Sequence, residues 1–129
     1  MATKVKALEI IEIRDEGTEN ERLLLRATSA TKLDNFVVIN AKSGTGNKIT
    51  LLNQYVYWFQ DGITVNGGEI VRLYTRKSGT YTAQITNYGD EKVRFHNFYW
   101  GLPKSIWNKT SSDTVVVLYI ETWATMTKR

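Results

Sequence analysis

Polar and apolar residues alternate along much of this chain with a period of two, which is the spacing of a half-buried β-strand. The stretch Thr80–Thr86 is the clearest example, with Tyr81, Ala83 and Ile85 on one side and threonine or glutamine on the other. Apolar residues at the helical spacing i, i+3 and i+4 are scarce. The pattern therefore predicts an all-β protein.

Short segments rich in β-formers are separated by clusters of Gly, Asn, Asp and Ser, which favour turns. Eight or nine short strands at this spacing are typical of an antiparallel β-sandwich or barrel. The predicted strands are Val5–Arg14, Arg22–Ala27, Phe36–Asn40, Lys48–Leu52 continuing into Tyr55–Phe59, Ile63–Val65, Glu69–Arg76, Thr80–Thr86, Lys92–His96 and Thr114–Trp123.

The last of these segments differs from the rest. Thr114–Trp123 (TVVVLYIETW) is apolar on both faces, which predicts a central strand of a sheet. Exposed sheet edges are expected at Arg22–Ala27 or Thr80–Thr86, where copies of the chain could pair with each other. A self-assembling structural protein is therefore one alternative for its role.

Length and composition place the chain among ordinary globular domains. It has 129 residues, of which 42% are hydrophobic and 23% charged, so residues 1–129 form a single predicted domain with a substantial core. The absence of cysteine excludes disulfides and thiolate metal sites. Glu9, Glu12 and Arg14 interrupt the N-terminal region where a signal peptide would be apolar, and we expect a cytoplasmic protein without a membrane span.

The net charge of +4 is unevenly distributed along the chain. Residues 35–129 carry eleven basic and only six acidic side chains. This excess favours contact with a polyanion such as DNA through long-range attraction, although a solvated basic surface gives the same count. The basic candidates for partner contact are Lys42, Lys48, Arg72, Arg76, Lys77, Arg94, Lys104 and Lys109.

A glycine-rich stretch, Ser43–Thr50 (SGTGNKIT), superficially resembles a phosphate-binding loop. Such a loop needs a lysine directly after its last glycine, then Ser or Thr, and a helix after that. Here Asn47 precedes Lys48 and a predicted strand follows. The stretch is better interpreted as a hairpin turn.

No residue set predicts catalysis or metal binding. The single histidine, His96, alternates with Arg94 on the polar face of a predicted strand, where a surface or loop-packed role is expected. The acids lack the close spacing of a calcium loop, and Asp61 and Asp113 fit turns or caps. We therefore expect no enzyme, with no catalytic, cofactor-binding or metal-binding residues.

Aromatic residues are numerous and allow two interpretations. They can fill the core of a sandwich, or they can form a platform for a ligand such as a glycan. Trp100 and Trp107 lie in loop-like sequence, so we expect them to be partly exposed and include them among the candidate partner-binding residues. A carbohydrate-binding sandwich that uses Trp58, Trp100 or Trp107 is a second alternative.

Four segments, in this order, resemble the lamin-tail domain, an immunoglobulin-like fold found in nuclear lamins and in bacterial proteins. The aromatic strand that runs into F-x-D-G and then G-E, and a W-N-x-x-x-x-D step before a β-branched run, carry most of the likeness. The departures fall at turn positions, with Ser112 in place of the usual Gly and with Gln60 and Gly67 in place of Pro. The segments are Arg22–Ile39, Tyr55–Thr75, Tyr99–Leu102 and Ser105–Tyr119.

This resemblance implies an immunoglobulin-like antiparallel β-sandwich that acts as a non-catalytic interaction module. It implies recognition of a protein or nucleic-acid partner through loops and exposed strands, without a cofactor. In bacterial relatives such domains often accompany hydrolases or nucleases, whereas no catalytic segment is recognised here. The sequence thus predicts a binding domain whose partner has to be sought on its surface.

Overall fold

The computed structural model describes residues 3–44, 49–107 and 113–127, and residues 49–54 by their backbone only. Within these ranges the chain forms strands and no helix, which confirms the all-β prediction. No described helix could therefore cross a membrane. The strands are β1 (Lys4–Val5), β2 (Leu8–Arg14), β3 (Arg22–Ala27), β4 (Thr31–Lys32), β5 (Phe36–Ser43), β6 (Ile49–Trp58), β7 (Thr64–Val65), β8 (Ile70–Tyr74), β9 (Thr82–Tyr88), β10 (Glu91–Tyr99) and β11 (Asp113–Tyr119).

The described strands form a six-stranded sheet in the order β1-β2-β3-β8-β10-β9, a three-stranded sheet in the order β11-β5-β6, and a short ladder of β4 with β7. Neighbours are antiparallel except β8 and β10, which run parallel from the pair Ile70–Phe95 to the pair Tyr74–Tyr99. The prediction of antiparallel pairing throughout is wrong at this point. The β9–β10 hairpin places its second strand beside β8, and that arrangement fixes the parallel direction.

One apolar core receives side chains from both larger sheets. Leu23, Leu73 and Phe98 come from the six-stranded sheet, and Phe36 and Val38 come from the three-stranded sheet. All five are nearly inaccessible to solvent. This shared core is consistent with a β-sandwich.

Several predicted strands lie where the pattern placed them. The predicted Arg22–Ala27 coincides with β3, and the two segments around Asn53-Gln54 form one continuous strand, β6. The register between β5 and β6 shifts between Ile39 and Ala41, opposite this polar pair. The polar interruption in the sequence therefore marks an irregularity of the ladder rather than a strand end.

The first predicted strand, Val5–Arg14, is two strands joined by a tight turn. β1 and β2 pair antiparallel with Val5 opposite Leu8, and Lys6 has a positive φ of 51°. Two-residue hairpin loops require such a backbone conformation, which Asn-Gly usually signals. Lys6-Ala7 lacks this signal. The sequence therefore predicted one strand where the structure has two.

The positions of the strands within the sheets agree with the prediction only in part. Arg22–Ala27 is an interior strand, because β3 pairs with β2 on one side and β8 on the other. Thr80–Thr86 was the other predicted edge, and this is confirmed, because β9 is the last strand of its sheet. It was also predicted to be half-buried, which is wrong at Ile85, where the side chain is 61% exposed. Thr114–Trp123 was predicted to be central, but β11 pairs with β5 alone among the described strands. Alternation reports the face of a strand and not its place in the sheet.

Candidate functional site

A basic cleft lies beside the end of β8. Its volume is about 330 Å³, and Arg76, Lys104, Ser105 and Trp107 line it together with Gly17 and Pro103. Arg76 and Lys104 are exposed, and no described carboxylate lies within ion-pair distance of either side chain. The cleft therefore presents two uncompensated positive charges.

The segment that follows β10 is fastened to the end of β8 by backbone hydrogen bonds. The amide of Trp100 donates to the carbonyl of Tyr74 at 2.8 Å, and the amide of Leu102 donates to the carbonyl of Thr75 at 2.8 Å. Gly101 has a φ of 73°, and a Cβ at this position would lie 3.1 Å from the Ser78 hydroxyl oxygen. These contacts place Lys104 next to Arg76 across the cleft.

The floor of the cleft is organised by Glu21, whose carboxylate is fully buried. Its Oε1 accepts hydrogen bonds from the Thr75 hydroxyl at 2.8 Å and the Ile106 amide at 2.9 Å. Its Oε2 accepts from the Gly17 amide at 2.9 Å and the Trp107 amide at 3.1 Å. Four donors satisfy this carboxylate, and it joins the β2–β3 turn to the cleft wall.

Trp107 was predicted to be partly exposed, and this is wrong, because it is only 2% exposed and belongs to the main core. The Glu21 carboxylate holds its backbone, which draws the indole ring inward. Its Nε1–H is buried and has no hydrogen-bond partner in the described part of the chain.

Cations also surround the half-buried ring pair Tyr74 and Tyr99, which stack 5.5 Å apart at an interplanar angle of 5°. The Lys77 Nζ lies 4.9 Å from the Tyr74 centroid, and the Arg72 Cζ lies 5.5 Å from it. Burial lowers the pKa of the Arg72 guanidinium, and the nearby charge of Arg22 acts in the same direction. Arginine stays protonated nonetheless, so positive charge is crowded at this end of the sheet.

The remaining candidates do not line the cleft. Lys42 pairs with Asp113 on the three-stranded sheet, with its Nζ 3.3 Å from Oδ1. Trp100 is half-buried, as expected, and packs 5.6 Å from Tyr57. Lys48 and Lys109 fall outside the described residues. The structure thus brings Arg76, Lys104 and Trp107 into one cleft and places Arg72 and Lys77 around Tyr74. Trp100 packs against the cleft residue Trp107, with ring centroids 6.4 Å apart, whereas Lys42 and Arg94 lie apart.

Arg94 belongs to a polar network around His96. The Arg94 Nε lies 3.7 Å from the Glu69 Oε2, while the Glu69 Oε1 lies 2.8 Å from the His96 Nε2. Burial opposes ionisation of Glu69, but hydrogen bonds from the Asn66 amide and His96 outweigh it and lower the pKa of this carboxyl. The network links the turn before β8 to β10.

Of the two roles expected for His96, a surface position is wrong, because the side chain is only 4% exposed, and the loop-packed position is confirmed, because Tyr81 and Glu69 lie just before β9 and β8. The His96 Nδ1 lies 2.7 Å from the Tyr81 hydroxyl oxygen. The three hydrogen-bonded side chains of Tyr81, His96 and Glu69 therefore resemble a catalytic relay in their arrangement. Burial raises the pKa of Tyr81, however, whereas a nucleophile needs a lowered pKa. The geometry fits a structural network that fixes the start of β9 against β10.

Sequence reasoning missed Glu21 altogether. It lies in the run DEGTENER, where several acids look alike and all fit a solvated turn. Its partners at positions 75, 106 and 107 are remote in the sequence. No local signal distinguishes this carboxylate from its neighbours.

Comparisons with known proteins add no relative. No protein-family model matches the chain. A search of the curated proteins finds no match either. The functional assignment therefore depends on the site itself.

Proposed function

We propose that this chain is a non-catalytic binding module of the lamin-tail type that engages the phosphate backbone of duplex DNA through its basic cleft and the adjoining cations. The single observation that carries the proposal is the placement of Arg76 and Lys104 on one cleft without carboxylate partners. Lysine and arginine that neutralise phosphates supply most of the affinity of nucleic-acid binding that does not depend on sequence.

The surroundings of the cleft support a phosphate ligand. Lys77 and Arg72 extend the positive surface along the end of β8, next to the Tyr74–Tyr99 stack. The nearest acid, Glu21, directs its carboxylate oxygens to protein donors and is buried. Glu21 therefore forms no ion pair with Arg76 or Lys104, and both cations remain available to a phosphate.

The immunoglobulin-like, lamin-tail assignment is part of the same proposal. It is supported by the positions of the resembling segments. The F-x-D-G step follows directly after β6, the G-E step precedes β8 at a glycine with a φ of 87°, and the β-branched run is β11. Motifs of turn residues thus fall at turns, and apolar runs fall on strands. Fold analogy alone does not assign a ligand, so the test concerns the cleft.

The test is fluorescence anisotropy with a labelled DNA duplex at several salt concentrations. We expect the logarithm of the binding constant to fall linearly with the logarithm of salt concentration. The double variant Arg76→Ala/Lys104→Ala should weaken binding and reduce the salt slope by roughly two, because two phosphate contacts are lost.

A matched control changes the same charge elsewhere. Lys32 and Lys92 are exposed and have no ion-pair partner among the described residues. Lys32→Ala/Lys92→Ala should leave the slope nearly unchanged. The absence of binding at low ionic strength, or an equal loss in both double variants, would refute the proposal.

A further inference from the structure

A second cleft has the opposite chemistry to the first. Its volume is about 360 Å³, and its lining consists of Asp34, Asn35, Trp58, Phe59, Asp61 and Trp123. It shares no lining residue with the basic cleft. Two carboxylate residues and two tryptophans meet here, and no lysine or arginine is among the lining residues.

The two tryptophans are unusually exposed for their size. Trp58 is 42% exposed and Trp123 is 63% exposed. Their ring centroids are 5.3 Å apart and their planes meet at 71°. The rings therefore form a corner with two faces rather than a flat platform, and contiguous exposed apolar surface is a feature of interaction sites.

Both walls of the corner are held by the segment that precedes β5. The Nε1–H of Trp58 donates to the Asp34 carbonyl at 2.6 Å, which fixes the indole orientation. The amide of Ile120 donates to the Asn35 carbonyl at 2.8 Å, which ties the chain after β11 to the same segment and brings Trp123 beside Trp58. Hydrogen bonds to the segment before β5 therefore hold the two tryptophans next to each other.

The negative charges of Asp34 and Asp61 favour a positively charged ligand in this cleft. Tryptophan offers the strongest cation–π face, and a nearby carboxylate adds direct attraction for a positive ligand. Lysines and arginines of the described residues do lie over rings, but those rings are tyrosine or phenylalanine, such as Tyr74 and Phe95. No described cation of this chain lies over Trp58 or Trp123, although the net charge of the protein is +4.

We propose that the Trp58–Trp123 cleft binds an ammonium group of the lysine type, methylated or unmethylated, presented by a partner protein. The two rings, inclined at 71°, contact the cation from two sides. Asp34 and Asp61 supply negative charge beside it. A glycan instead prefers aromatic rings aligned in a row, which the angle of 71° does not provide. This site is separate from the proposed DNA contact, so either can fail without the other.

The direct test uses tetramethylammonium and Nα-acetyl-trimethyllysine amide as probes, with tryptophan fluorescence and two-dimensional NMR as readouts. We expect saturable binding with indole shifts at Trp58 and Trp123. The neutral isostere, in which a tert-butyl group replaces the trimethylammonium, should bind about tenfold more weakly, since the cation–π and carboxylate attraction is lost. Equal binding of the isostere would overturn the proposal.

The variants separate the contributions of ring and charge. Trp123→Ala and Asp61→Asn should each weaken trimethyllysine binding about fivefold. Met126→Ala, in the same terminal segment, and Asp90→Asn, an exposed acid elsewhere, are matched controls that should change binding by less than about twofold. A loss in Trp123→Ala with no loss in Asp61→Asn and Asp34→Asn would overturn the charge argument.

A glycan panel distinguishes the alternative ligand. We expect no saturable shift of Trp58 or Trp123 with neutral oligosaccharides. Binding of a neutral sugar at these rings without binding of trimethyllysine would replace the proposed ligand with carbohydrate. The DNA titration serves as an independent check, because Trp123→Ala should leave its salt slope unchanged.

Discussion

At the scale of single residues, Glu21 is the side chain on which the candidate cleft depends. Its two oxygens accept four hydrogen bonds, from Gly17, Thr75, Ile106 and Trp107. Buried donors that lose their acceptor retain the full cost of desolvation. One carboxylate therefore fixes both the turn after β2 and the wall of the cleft.

Replacing Glu21 tests this role. Glu21→Ala removes every one of these acceptors, and we expect the free energy of unfolding to fall by about 3 kcal/mol or more. Glu21→Gln should cost less, since its one oxygen still accepts. Chemical denaturation followed by circular dichroism measures both values.

Glu19→Gln is the matched control, because Glu19 is an exposed acid in the same turn. It should change the free energy of unfolding by no more than about 0.5 kcal/mol. Equal stability of Glu19→Gln and Glu21→Ala would contradict the assigned role of Glu21.

At the scale of elements, β11 shows what a doubly apolar strand does when it is not central. Val115, Val117 and Tyr119 pack against the main core, while Val116 and Leu118 alternate with them toward the other face. All seven residues of the strand are half-buried. Burial on the core face therefore does not require the strand to lie between two neighbours.

A pair of substitutions in β11 separates its two faces. Val117→Asp places a charge against the core and should lower the free energy of unfolding by roughly 3 kcal/mol. Val116→Asp introduces the same charge on the other face and should cost less than half of that. Urea denaturation of both variants measures the difference, and equal costs would show that the assigned faces of β11 are wrong.

At the scale of the whole molecule, the two larger sheets share one core. Leu23 and Phe98 from one sheet and Phe36 from the other lie in the same buried cluster. Neither sheet can then keep its apolar face covered after the other has unfolded. Small domains of this kind unfold in a single cooperative transition.

We therefore expect one unfolding transition for the chain. Far-ultraviolet circular dichroism reports the strands, and tryptophan fluorescence reports the packing of the four tryptophans, of which Trp107 is buried in the core. The two probes should give the same denaturation midpoint, and Glu21→Ala should shift both midpoints together. Separate midpoints in the unaltered chain would contradict a single folding unit.

The polar network around His96 shows where sequence reasoning stops at the level of the site. Alternation with Val93 and Phe95 placed His96 correctly on the face opposite to them, and that face was taken as solvated. In the fold this face meets Tyr81 and Glu69, which cover the imidazole. The pattern indicated the side of the strand, but the residues that cover it come from loops elsewhere in the chain.

The sequence alone determined the strand content, most turn positions and the basic excess from which Arg76 and Lys104 were selected. These features are local, because strand alternation and turn chemistry depend on residues a few positions apart. The tertiary structure decided the sheet order, the parallel pairing of β8 with β10, the burial of Glu21 and Trp107, and the corner of Trp58 and Trp123. Each of these depends on residues that are remote in the sequence, as with Glu21 and Trp107, which are 86 positions apart. Only the pairing of strands into sheets and the packing of those sheets bring such residues within contact distance.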